Sequence, residues 1–228
     1  FGTGADPWAS FSNERKAWAY LQDQLSTTHP IAADMSDLEK VEQNFDGITY
    51  AKGASVLKLL VSLVGSDAFL AGVTQYFRTH AYGNTELSDL LDELEEASGR
   101  DLSWFSAQWL ETSGVNTLSA DFDVDDEGRF TRFAVLQSAH PSWPTLRTHR
   151  LGIGLYGLEE GALTRRHYVE VDISGERTEL PELEGVAKGD VVLLNDGDLT
   201  YAKVRLDAAS AATLVEHIGG LSDPLARA

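Results

Sequence analysis

The chain has 228 residues, 36 of them acidic and 18 basic, with a formal charge of −18 and 43% hydrophobic side chains. So acidic a surface repels phosphate backbones and anionic headgroups, which argues against nucleic acid and membranes as partners. The absence of cysteine excludes disulfides and thiolate metal sites.

The acidity is spread evenly, with a net of −10 over residues 1–115 and −8 over residues 116–228. No stretch approaches the ~20 apolar residues of a membrane helix, and no basic start precedes an apolar core as in a signal peptide. A cytoplasmic location is therefore expected. The first residue is Phe1 and the only methionine is Met35, so the sequence is expected to be part of a longer polypeptide.

Two textures follow one another along the chain. Up to about Gly114 the pattern is helical. SNERKAWAYLQDQL places Ser12 or Asn13 as a cap and spaces Trp18, Leu21 and Leu25 at helical intervals. Ser36 and Glu39 form a capping-box pattern ahead of Val41 and Phe45. GITYAKGASVLKLLVSLVG is apolar on most faces and predicts a buried helix. Ser66 or Asp67 caps the next helix, which stops at Gly83. Thr85 caps another, with a stripe of Leu87, Leu90, Leu91 and Leu94 and a stop at Gly99. Asp101 caps the last, which ends at Gly114. Short links between such helices predict a packed helical block.

From Asn116 the period becomes two. TLSADFDVDDEGRFTRFAVLQS predicts a hairpin turning at Asp125 to Gly128. LRTHRLGIGLYGL, RRHYVEVDI, VVLLN and YAKVRLD predict further strands, with turns at GLEEG, ISGE and NDGD. Many short strands at this spacing indicate an antiparallel β-sandwich. The pattern is helical again from Asp207.

Residue chemistry alone says little. His29, His80, His140, His149, His167 and His217 include no pair at i, i+4, and no His-Glu-x-x-His occurs. Asp123, Asp125, Glu127 and Gly128 resemble the start of a calcium loop, but Ala134 stands where a bidentate Glu is needed, so a solvated hairpin turn is expected. There is no Gly-x-Ser-x-Gly elbow, and Gly2 and Gly4 follow no strand, which leaves a phosphate loop unsupported. Arg165, Arg166 and His167 are expected to pair with local carboxylates. Glu95–Glu96 and Glu159–Glu160 are adjacent in sequence and read as solvated groups rather than acid/base dyads. Tyr50 stands out on the predicted buried helix, sharing one face with Gly53, Ala54, Leu57 and Val61. A core tyrosine is the plain reading. Gly53, inside the helix, is explained by a close approach of other backbone or substrate, or by a tolerated cost of about 1 kcal/mol.

The run from Asn44 to Leu57, NFDGITYAKGASVL, resembles the segment of aminopeptidase N enzymes downstream of their zinc motif, where a Tyr-x-Lys-Gly-Ala/Ser sequence lies on a helix lining the active site. Thr28-His29-Pro30-Ile31 is similar to that family's His-Pro bend. Phe77 to Asn84, and Leu102 to Gly114 with Trp109 ahead of Ser113-Gly114-Val115, resemble its closing helices and its exit into a β-sandwich. The similarity covers about residues 5–206 and is nearest to actinobacterial members of the family.

The resemblance implies an α+β multidomain chain: residues 1–115 as the helical half of a thermolysin-like catalytic domain, 116–206 as a β-sandwich, and 207–228 as the start of a helical C-terminal domain. It implies a fragment of a zinc aminopeptidase that removes N-terminal residues from peptides by metal-assisted hydrolysis. By motif position, Tyr50 is the phenol that donates to the developing oxyanion, and Phe45 is an aromatic wall of the side-chain pocket. The family's His-Glu-x-x-His and its Gly-x-Met-Glu-Asn type segment do not occur in this sequence. The chain alone is therefore expected to bind no zinc and to be inactive, with its apolar helix covered by the N-terminal part of the enzyme or by self-association. The alternative is a metal-free binding or structural module derived from the same family.

Overall fold

The computed structural model describes residues 6–33 and 36–228. Gly2, Gly4 and Met35 lie outside them, as does the side chain of Val41.

The first helical run is α1 (Pro7–Phe11), a π-helical turn (Ser12–Lys16) and α2 (Ala17–Gln22). It starts earlier than the expected cap at Ser12 or Asn13. Asp6 accepts hydrogen bonds from the amides of Trp8 and Ala9, with Pro7 at the first helical position, a stronger start than a serine within the run. The expected stripe of Trp18, Leu21 and Leu25 faces outward, and Ala9, Lys16 and Ala19 point inward.

Helix α3 (Leu38–Gln43) is capped by Asp37, whose carboxylate accepts from the amide of Lys40. That corrects the expected Ser36–Glu39 box. The predicted buried helix is a π-helical turn (Ile48–Lys52) running into α4 (Gly53–Val64). Gly65, at φ +87°, then bends the chain by 110° into α5 (Ser66–Thr79). No side chain caps α5, because the glycine makes the corner itself. Helix α6 (Leu87–Ser98) starts from Glu86 rather than Thr85. Asp89 accepts from the amide of Glu86 in a reciprocal box, and Gly99 ends the helix in the left-handed region as expected. Asp101 accepts from the amide of Ser103 ahead of α7 (Ser103–Phe105), which continues as a π-helical turn (Ser106–Leu110). The helix ends there, short of Gly114.

The β region has two sheets. One holds β1 (Thr117–Val124), β2 (Phe130–Ser138), β5 (Arg177–Glu179) and β7 (Lys203–Arg205), in the order β5-β2-β1-β7. The other holds β3 (His149–Glu159), β4 (Ala162–Ile173) and β6 (Val191–Leu194), in the order β4-β3-β6. The hairpins β1–β2 and β3–β4 form where expected. The first sheet is mixed, not wholly antiparallel, because β7 returns parallel to β1 with Thr117 opposite Lys203. Asp125 accepts from the amides of Glu127 and Arg129, so the calcium-like stretch is a hairpin turn. Arg165 pairs with Asp196 and Arg166 with Glu159. Helix α8 (Ala208–His217) is capped by Asp207, and α9 (Pro224–Arg227) by Asp223.

Each texture has its own core. Leu59, Leu60, Leu94, Phe105 and Trp109 centre the helical one, which also takes Tyr201 from the sandwich. Phe133, Leu151, Ile153, Leu155 and Val192 lie between the sheets. Among the described residues no single helix is long and apolar enough to cross a membrane.

Candidate active site

Helix α4 and its preceding π turn divide into two faces. Ile48, Lys52, Val56, Leu59 and Leu63 are buried, while Tyr50 and Leu57 are half exposed, at 50% and 51%. Residues two apart on a helix point to opposite sides, so Tyr50 looks out where Lys52 looks in. The start of the turn is fixed from three directions. Asp46 accepts from the amides of Ile48 (2.9 Å) and Thr49 (3.0 Å). His29, in the His-Pro bend, reaches Asp46 through Nε2 at 3.1 Å. Gln22 accepts from the amide of Gly47 at 2.7 Å.

Tyr50 stands between two clefts. One, of 480 Å³, runs along α4 past Ile31, Leu57, Leu87, Phe105 and Leu110. The other, of 390 Å³, lies among Phe11, Arg15, Trp18 and Phe45. Phe45 packs edge to face on Tyr50, with ring centroids 4.7 Å apart and planes at 64°. The two sequence-predicted residues thus meet. The plain reading of a core tyrosine is set aside, since Tyr50 is half exposed and no hydrogen bond of its hydroxyl is found among the described residues. Among the described residues, a Cβ at Gly53 would meet only Ile31 Cγ2, at 3.8 Å.

Behind this face lies a polar junction that the sequence reading did not identify. Lys52 Nζ is 2.8 Å from Asp23 Oδ2, with both side chains fully buried, and donates to the Gly114 carbonyl at 3.1 Å. Asp23 Oδ1 accepts from the Gly114 amide (3.0 Å) and the Thr28 hydroxyl (2.6 Å). Burial pushes the Lys52 ammonium down to about 8, with desolvation outweighing the attraction of Asp23. Arg147, also buried, donates to Asn116 Oδ1, the Thr112 hydroxyl and the carbonyls of Gln108 and Ser113. Desolvation holds it at about 10. Lys16 pairs with Asp198 and donates to the Thr200 carbonyl at 2.9 Å. The signal for these groups was present in the pattern: Lys52 falls on the buried stripe with Val56, Leu59 and Leu63, where a lysine requires a partner.

Among the described residues no group of three or more His, Cys, Asp or Glu could hold a metal ion. The donor set of a zinc site is not provided by these residues.

The architecture defined here, a helical block closed by a β-sandwich, is shared with solved aminopeptidase structures. The crystal structure of Legionella pneumophila aminopeptidase A in complex with aspartic acid matches 78% of this chain and 20% of that one, with a TM-score of 0.60 at 16% identity. Residues 2–109 match the peptidase family M1 domain and belong to that family. Aminopeptidase N of Streptomyces lividans is 54% identical over 228 residues, covering 97% of this chain and 27% of that protein. Tricorn protease-interacting factor F2 of Thermoplasma volcanium is 36% identical over 52% of this chain and 15% of its own length. Leucyl aminopeptidase of Saccharolobus solfataricus is 39% identical over 47% and 14%. The chain thus spans about a quarter or less of the length of these relatives.

Proposed function

We propose that this chain is part of a zinc aminopeptidase that removes N-terminal residues from peptides, with Tyr50 as the transition-state donor. The observation that carries the reading is the half-exposed Tyr50 side chain, which lines two clefts and whose hydroxyl has no hydrogen bond among the described residues. A phenol so placed donates a hydrogen bond to an oxygen gaining negative charge as the scissile carbonyl becomes tetrahedral. Such a bond strengthens in the transition state, and losing one donor costs about 10²–10³ in kcat. Phe45, packed on the Tyr50 ring, forms an apolar wall for the side chain of the substrate's first residue.

Zinc held by other parts of such an enzyme would supply Lewis-acid polarisation of the carbonyl and a more acidic water. Its ligands are assigned to polypeptide outside these residues. The outward face of α4 packs beside that polypeptide, and the protein is placed in the cytoplasm. Residues 1–115 are assigned to the catalytic domain, 116–206 to the sandwich and 207–228 to a helical domain.

The test replaces the matching segment of Streptomyces lividans aminopeptidase N with this chain. The hybrid is expected to hydrolyse an aminoacyl amide, and Tyr50→Phe to lower kcat by about 10²–10³ with KM little changed. A Tyr50→Phe hybrid running at full rate would show that the phenol has no part in the chemistry.

A further inference from the structure

We propose that Lys52 is a positioning residue for Tyr50: its buried pairing with Asp23 and its bond to the Gly114 carbonyl hold the π turn in the register that turns the Tyr50 phenol into the clefts. The inference rests on the role given to Tyr50 above, and its test separates the two.

The π turn is the first observation. The Gly53 amide reaches back five residues to the Ile48 carbonyl, so Tyr50 lies inside a one-residue bulge in an otherwise regular helix. Such bulges are less stable than α-helix and concentrate at functional sites. If the bulge relaxed, residues before it would rotate by about 100° relative to the body of α4. The phenol would then leave the clefts. Something must hold the extra residue in place.

Lys52 ends the bulge and is the group placed to do so. Its ammonium is wholly removed from water and meets Asp23 at 2.8 Å, the Gly114 carbonyl at 3.1 Å and the Tyr201 ring, with the centroid 5.6 Å away. Asp23 is itself fixed by the Gly114 amide and Thr28. A pair of apolar residues would fill this space with no desolvation penalty. A buried ion pair instead fixes a unique register, the best-attested use of such groups. The first helical run repeats the device: its π turn also ends in a buried lysine, Lys16, pinned to Asp198 and the Thr200 carbonyl. Each of these two bulges is thus fastened outside its own helix, to Gly114 ahead of the sandwich or to Thr200 at its return, whereas the third π turn, Ser106–Leu110, carries no lysine.

The probe is 3-fluorotyrosine placed at position 50 of this chain and read by fluorine NMR. The parent chain is expected to give one sharp resonance. Lys52→Met and Asp23→Asn are each expected to split or broaden it, while Leu155→Ala, a core truncation between the sheets, leaves it single. A sharp, unshifted resonance in folded Lys52→Met would overturn the proposal and reduce the pair to general stability. If neither junction variant folds, amide exchange in the parent chain decides the matter. Amides of residues 50–53 that open together with those of Asp23 and Gly114 support a common clamp, and independent opening of the turn overturns it. In the hybrid enzyme, Lys52→Met is expected to lower kcat by up to about 10²-fold while changing KM less, as misplacement of a catalytic group does. If Tyr50→Phe keeps full rate, the oxyanion role falls while the fluorine result stands. If only the fluorine result fails, the oxyanion role is untouched.

Discussion

The rings of Phe45 and Tyr50 meet edge to face on the open side of the helical block, so one residue of the proposed substrate pocket braces the residue proposed to act on the carbonyl. Phe45 is 69% exposed and contributes little to the fold. Phe45→Ala should change unfolding free energy by less than about 1.5 kcal/mol, the upper worth of an aromatic pair. In the hybrid enzyme it should raise KM for substrates with a large first residue. Steady-state kinetics on leucyl and alanyl amides would check this, and equal KM changes on both would remove Phe45 from the pocket wall.

Two glycines around the π turn should respond in opposite directions. A Cβ at Gly53 meets only Ile31 Cγ2 at 3.8 Å, so Gly53→Ala should raise stability by about 0.5–1 kcal/mol. A Cβ at Gly47 falls 2.6 Å from Gln22 Oε1 and 2.9 Å from Trp18 Cδ2, so Gly47→Ala should lower it by about 1–3 kcal/mol. Urea unfolding of the two variants measures both signs.

His149 gives the junction an acid limit. It is fully buried between Thr200 Oγ1 (2.8 Å) and Gln137 Oε1 (3.1 Å), and desolvation, then the Arg147 charge, lowers it to about 3 from an ordinary 6.5. Between those values the unfolded chain binds a proton that the folded chain refuses. The stability His149 contributes is therefore complete above pH 6.5 and is lost towards pH 3, by up to about 1.4 kcal/mol per pH unit. His149→Gln removes this dependence. The stability gap between parent and variant should narrow as urea midpoints are taken from pH 7 down to pH 4, and a constant gap would contradict a buried neutral imidazole.

Arg147 ties the last helical turn to the start of the sandwich through Gln108, Thr112, Ser113 and Asn116. Arg147→Met leaves several buried acceptors unpaired, each worth about 1–3 kcal/mol. Calorimetry is expected to resolve two transitions in the variant, helical block and sandwich, where the parent chain shows one. A single transition shifted to lower temperature would mean that the two cores remain coupled without the guanidinium.

The change from period 3.6 to period 2 near residue 116 was legible because each texture buries a single face of its own elements. Tyr50 was singled out for a different reason, the Tyr-x-Lys-Gly run, and what the structure adds is its half-exposed position against Phe45. Helix starts were read less well. Asp6, Asp37 and Glu86 act as caps in place of Ser12, Ser36 and Thr85, because cap choice depends on the backbone geometry of the entering chain, and Ser, Thr and Asp suit the position almost equally. The parallel return of β7 beside β1 is a long-range pairing that no local pattern encodes. The π turns were invisible for the same kind of reason. In two of the three π turns among the described residues the last residue is a lysine that reaches a carboxylate distant in sequence, Asp198 for Lys16 and Asp23 for Lys52, and no local pattern announces such a reach.

Those two lysines have a consequence for the molecule as a whole. Among the described residues the fully buried charged groups are Lys16, Lys52 and Arg147 on one side and Asp23 and Asp196 on the other, with Asp198, the partner of Lys16, partly exposed, so the interior withdraws slightly more positive than negative charge from the surface. The solvent-facing shell is thus more anionic than the overall −18 suggests. Dissolved salt screens the repulsion within that shell yet scarcely reaches the sealed pairs. Ionic strength should accordingly favour the folded form of this protein, the reverse of what its dependence on ion pairs would lead one to expect.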